Sequence, residues 1–155
     1  MPIERLLSAI IVALLLATPA ASEERQTFGI EQFKIDRGGS EAVLCSWTVY
    51  LSVQAATKSC ELTRRPTDDA IDEAILAIDD FILANAALHP TREALEAFKG
   101  RIAAAMTVKP PAVSQKLCEN SLEFFRSRSP EAIRSSVKAS LASALEPSAG
   151  PVPCL

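Results

Sequence analysis

The sequence predicts an all-α fold, a small disulfide-stabilised bundle of about five helices. Three observations carry that expectation. Apolar residues recur at three- and four-residue spacing in five successive windows. The 155 residues include only one Trp, one Tyr and six Phe, while alanine and leucine supply much of the apolar content, a composition suited to closely packed helices. The four cysteines, Cys45, Cys60, Cys118 and Cys154, form an even set of the kind that closes two disulfides in an exported chain.

Residues 1–22 read as a signal peptide. Arg5 sits in a short leading region, Leu6 to Ala17 is an apolar run without charge, and Thr18-Pro19-Ala20-Ala21-Ser22 supplies a turn and small residues for cleavage after residue 20 or 22. Helix built from that run spans about 18 Å, short of a hydrocarbon core of roughly 30 Å, so no stable membrane span is expected after cleavage. The mature chain is then a periplasmic or secreted protein.

Residues 23–39 are polar with isolated Phe28, Ile30, Phe33 and Ile35, a pattern equally suited to a short strand or to an irregular N-terminal arm lying across a bundle. The arm ends at Gly38-Gly39. Residues 40–155 read as one helical domain with a disulfide-tethered tail.

Ser40 can cap the first helix, whose stripe is Leu44, Trp47, Leu51 and Ala55, widened by Val43 and Tyr50. Thr67 can cap the second, with Asp68 and Asp69 in its first turn, where the helix dipole favours anions. Its stripe is Ile71, Ile75, Ile78 and Ile82, and His89-Pro90 forbids continuation. Thr91 starts a third helix carrying Leu95, Phe98, Ile102 and Met106. The fourth, over 112–127, uses Val113, Leu117, Ser121 and Phe124, broadened by Leu122 and Phe125. Ser129-Pro130-Glu131 opens the fifth with a cap, a proline at the first helical position and an early acid. Ile133, Val137, Leu141 and Leu145 follow. Short connections favour sequential antiparallel neighbours.

Geometry ranks the disulfides. On one continuous helix Cys45 and Cys60 lie about 22 Å apart, whereas a disulfide needs Cα atoms within roughly 7 Å. That leaves 45–118 with 60–154, or 45–154 with 60–118.

Function is less legible. The net charge of −3 argues against a nucleic-acid partner, which requires a basic field. No cysteine spacing matches a zinc site, the acids lack a calcium-loop pattern, and no cofactor motif is present. His89 has no adjacent orienting carboxylate and nucleophile, and Glu119 with Glu123 are explained by a solvated helix face. The candidate interaction patches are acidic (Asp68, Asp69, Asp72, Glu73, Asp79, Asp80) and basic (Arg64, Arg65, Arg126, Arg128). Trp47 and Tyr50 are expected in the core, with a ligand groove as the other reading. The function expected is an exported, non-enzymatic protein-binding module, such as a periplasmic inhibitor, immunity-type protein or adaptor, whose partner is another envelope or extracellular protein. The alternatives are a carrier or sensor of a small apolar ligand, and an uncharacterised hydrolase.

Overall fold

The computed structural model describes residues 29–35, 40–107 and 115–146. The proposed signal peptide, the tail with Cys154, and Val113 fall outside them. An all-α bundle of five helices follows a single 3-10 turn at Ile30–Phe33: α1 (Ser40–Ser59), α2 (Pro66–Asn85), α3 (Arg92–Ala105), α4 (Gln115–Arg126) and α5 (Pro130–Ser143). Among the described residues no helix is long and apolar enough to cross a membrane.

The arrangement is not a ring of sequential neighbours. Helix α1 packs against all four others, and the most extensive contact of α2 is with α5, while α2–α3, α3–α4 and α4–α5 make little contact. The reason lies in α1 itself, which buries residues on several sides: Ala42, Val43, Leu44, Trp47, Tyr50, Leu51, Val53 and Ala55. A helix apolar on most of its circumference is stable only when covered on most of it.

The stripes predicted for the first, second, third and fifth helices face the core, except that Met106 and Leu145 at the ends of theirs are exposed. The caps at Thr91 and Ser129 form as expected, each side-chain oxygen accepting from the backbone N–H three residues on, at 3.1 Å. Thr67 does not cap α2. The helix starts two residues earlier, at Pro66 after the N-cap Arg65, Asp68 Oδ2 accepts from the Arg65 N–H at 2.8 Å, and the Thr67 hydroxyl donates instead to the Arg128 carbonyl at 2.9 Å. That last bond ties the start of α2 to the turn before α5.

The arm is irregular in the described part. Phe33 enters the core, and Ile35 makes an isolated antiparallel bridge to Ala86, with the Ala87 N–H donating to the Lys34 carbonyl at 3.0 Å. Phe33 meets Trp47 and Phe98 edge-on, with ring centroids 5.3 and 5.2 Å away, and Trp47 stacks on Phe98 at 5.1 Å. These three rings join the arm, α1 and α3, and such aromatic pairs add about 0.5–1.5 kcal/mol beyond their burial.

Cys60 pairs with Cys118, Cα atoms 6.1 Å apart, fastening the end of α1 to α4. This excludes the 45–60 pairing and the 45–118 with 60–154 alternative. Cys45 is also disulfide-bonded.

Helix α4 corrects the sequence reading most. Its buried residues are Cys118, Leu122 and Arg126, whereas Leu117, Ser121 and Phe124 face outward. The disulfide at one end and the buried arginine at the other fix the rotation of the helix, and they override the more obvious apolar stripe.

Candidate functional site

The two charged patches expected on the surface partly pair with each other, Asp68 with Arg126 and Asp69 and Asp72 with Arg64. Arg126 is 3 % exposed and grips Asp68 through two bonds, Nε to Oδ1 at 3.0 Å and Nη2 to Oδ2 at 2.8 Å, while Nη2 also donates to the Thr63 carbonyl. Burial pushes the Asp68 carboxyl up, but the Arg126 guanidinium and the Arg65 N–H outweigh it and hold it below the ordinary value. Arg64 bridges Asp69 and Asp72, and Asp72 also accepts from Gln54 Nε2 at 2.6 Å. Arg65 reaches Glu123 at 3.0 Å, Arg134 reaches Glu73 at 2.7 Å, and Arg92 reaches Asp80 at 3.1 Å. The like-charge spacing along α2 is thereby relieved by arginines from the preceding turn, α3, α4 and α5. Of the four basic candidates, only Arg128 takes no part in these pairs.

Asp79 is fully buried. It accepts from the Trp47 Nε1–H at 2.8 Å and from Lys99 Nζ at 2.7 Å, and Lys99 in turn reaches Glu96 at 2.9 Å. Burial raises the Asp79 carboxyl above its ordinary value, with the Lys99 ammonium and the indole N–H only partly opposing it. Burial alone would lower Lys99, yet the carboxylates of Asp79 and Glu96 prevail and raise it. Trp47 and Tyr50 are both buried core residues. The polar end of Trp47 is satisfied by Asp79, while the Tyr50 hydroxyl has no hydrogen-bond partner among the described residues and burial raises it.

Asp79→Asn is expected to keep the indole hydrogen bond and to cost no more than about 1–2 kcal/mol, because Lys99 retains Glu96 and partial solvent access. The sign with pH follows from the raised carboxyl. The folded protein takes up this proton before the unfolded chain does, so stability from Asp79 rises as pH falls through the folded value and levels off below about 3.8. Urea midpoints at several pH values should show that rise flattened in the variant; an unchanged profile would remove Asp79 as its source.

No group of three or more His, Cys, Asp or Glu is placed to hold a metal ion among the described residues. Most of these charged residues form cross-links between helices or with the turn before α2. Among the described residues the exposed large apolar side chains are Leu76, Leu88, Met106, Leu117, Phe124 and Leu145, and α4 carries two of them. Leu117 is 54 % and Phe124 72 % exposed, two turns apart on one face, with Ser121 between them. Phe124 also packs edge-on against Phe125, centroids 5.1 Å apart. Behind that helix Val49, Val53, Ala56, Met106, Leu122 and Phe125 line a shallow apolar groove of about 350 Å³. The signal for this surface was present in the sequence as the 117/121/124 spacing, which read there as core. His89 is exposed in the turn after α2 with φ 46°, away from these residues in the chain. No family model, curated protein or solved structure matches the chain.

Proposed function

We propose that this chain is an exported, non-enzymatic protein-binding module that docks a partner protein through the outer face of α4. The single observation that carries the reading is the exposure of Leu117 and Phe124 together on a helix held by a disulfide and a buried ion pair. Large apolar side chains at full solvent cost on a rigid helix are the usual centre of a docking surface. Rigidity favours binding further, since little ordering entropy is lost when the partner arrives. The apolar run Leu6–Ala17 and the disulfide-bonded state of Cys45, Cys60 and Cys118 support an oxidising, extracytoplasmic setting. The partner's complementary surface is an apolar patch able to accept Phe124. Glu119 and Glu123 lie on the same helix, so basic residues at its edge would suit them.

The test uses the full chain expressed with its own N-terminus, recovered from the cell envelope after cross-linking, beside Phe124→Ser. The expected result is a cross-linked species lost in the variant, on a protein whose mass shows a new N-terminus after residue 20 or 22. Phe124→Ser should leave the urea midpoint within about 0.5 kcal/mol of the parent, as an exposed site does. Cross-links identical in the two proteins would sink the α4 surface, and a retained Met1 would sink processed export.

A further inference from the structure

A pocket of about 140 Å³ opens between the last turns of α1 and the first turns of α2. Its apolar lining is Val53, Leu62 and Ile71. Thr57 also lines it, is 6 % exposed, and leaves its hydroxyl without a hydrogen-bond partner among the described residues. On the same helix Thr48 and Ser52 return their hydroxyls to carbonyls of the preceding turn, at 3.0 and 2.8 Å. Thr57 does not, and an unpaired buried hydroxyl is a standing cost to the fold.

The lining charges divide into two sets. Arg64, Asp68 and Asp72 belong to the ion pairs described above. Lys58 and Glu61 join none of those pairs, and both are exposed. Three residues apart they would ordinarily meet, as Glu96 and Lys99 do on α3. Glu61 has left the helix, however. It sits at φ 52°, in a closing turn where the Leu62 N–H donates to the Thr57 carbonyl and the Glu61 N–H to the Lys58 carbonyl, both at 3.1 Å. Glycine is the usual residue in that left-handed position, because a side chain there is strained. The pocket thus combines a lysine and a strained glutamate that have no ion-pair partner among the described residues, an unpaired hydroxyl, and an apolar wall.

We propose that this pocket binds a small zwitterion with an aliphatic body, a free α-amino acid of the valine type. Its carboxylate faces Lys58, its ammonium faces Glu61, and its side chain lies on Val53, Leu62 and Ile71. A helical threonine has two χ1 wells, so the Thr57 hydroxyl is able to turn toward the guest and pair with it. The volume suits about six to eight heavy atoms, judged from the benzene-sized guests that cavities of roughly 150 Å³ accept. The proposal does not depend on the α4 docking face, which contributes nothing to this pocket.

The experiment is a titration of the oxidised, ¹⁵N-labelled full chain, read by amide chemical shifts. L-valine is the probe, with isovalerate and isobutylamine as controls that each keep one charge. Valine should shift Thr57, Glu61, Leu62 and Ile71 saturably, and each control should bind about tenfold more weakly, the loss expected for one charge-assisted contact. Lys58→Gln and Glu61→Gln should each weaken valine by about tenfold as well. Thr57→Val should weaken it several-fold while melting at or above the parent temperature, because the hydroxyl it removes has no partner. No saturable shift up to tens of millimolar valine would mean that the pocket holds only water, and would overturn the proposal. Equal binding of a single-charge control would overturn the zwitterion. A Thr57→Val protein that melts lower with unchanged binding would make the threonine purely structural and remove it from the site.

Discussion

Replacing Arg126 with methionine is expected to destabilise the protein by about 3–5 kcal/mol, read from urea unfolding at pH 7. The guanidinium is almost wholly buried, as is Asp68, and methionine leaves that carboxylate inside with only the Arg65 N–H to satisfy it. The Thr63 carbonyl loses its donor in the same change. Most of the cost is therefore the penalty of an uncompensated buried charge. The double variant Asp68→Asn/Arg126→Met should recover a large part of it, which a simple packing loss would not allow. The pH dependence separates the two explanations further. In the parent, Asp68 lies below its ordinary value, so its contribution is complete above about 3.8 and is lost as pH falls through the folded value. In Arg126→Met burial is opposed only by the Arg65 N–H and the Arg64 charge, so the carboxyl moves up and the loss of stability on acidification should be smaller than in the parent. A cost under about 1 kcal/mol with a parallel pH profile would show that the pair is incidental.

Removing the Cys60–Cys118 disulfide as the double alanine variant is expected to cost about 4 kcal/mol, the loop-closure value for residues 58 apart in sequence. The effect should also be local in a way that hydrogen exchange reads. Helix α4 has its main packing contact with α1, and the disulfide is the covalent part of that contact. Amides of α4 should therefore lose protection before those of α2, which is buried between α1 and α5. A midpoint shift worth under about 1 kcal/mol, or uniform loss of protection, would indicate that α4 is held by packing alone.

The sequence announces helices far better than it announces their rotation. Ile71, Ile75, Ile78 and Ile82 leave no choice of face for α2, and Thr91 and Ser129-Pro130 mark their starts by chemistry that acts within one turn. On α4 the stronger apolar spacing, 117/121/124, points outward, because Cys118 and Arg126 are committed to partners 58 residues away in the chain. Commitments of that range have no local signature. A weaker one was legible. Asp68 and Asp79 fall on the same helical face as Ile71, Ile75, Ile78 and Ile82, and Arg126 follows Cys118 and Leu122 at intervals of four. A charge in phase with an apolar stripe is a buried charge in search of a partner, and reading Asp68 and Asp79 with the exposed acids obscured it. The Thr57 pocket lay beyond reach for another reason: nothing in the letters shows that one threonine of α1 forgoes its carbonyl, or that a glutamate occupies a left-handed turn.

The central position of α1 has a consequence for how the chain is made. Each later helix finds a partner that precedes it in the sequence: α2, α3, α4 and α5 all meet α1, and α5 also meets α2. No helix has to wait for one not yet synthesised. The bundle can grow by addition, each segment adding to an existing surface as it emerges, with Cys60 already in place when Cys118 arrives. Moving the coding order of α1 to the end of the chain would keep every contact of the finished protein and abolish that order of assembly.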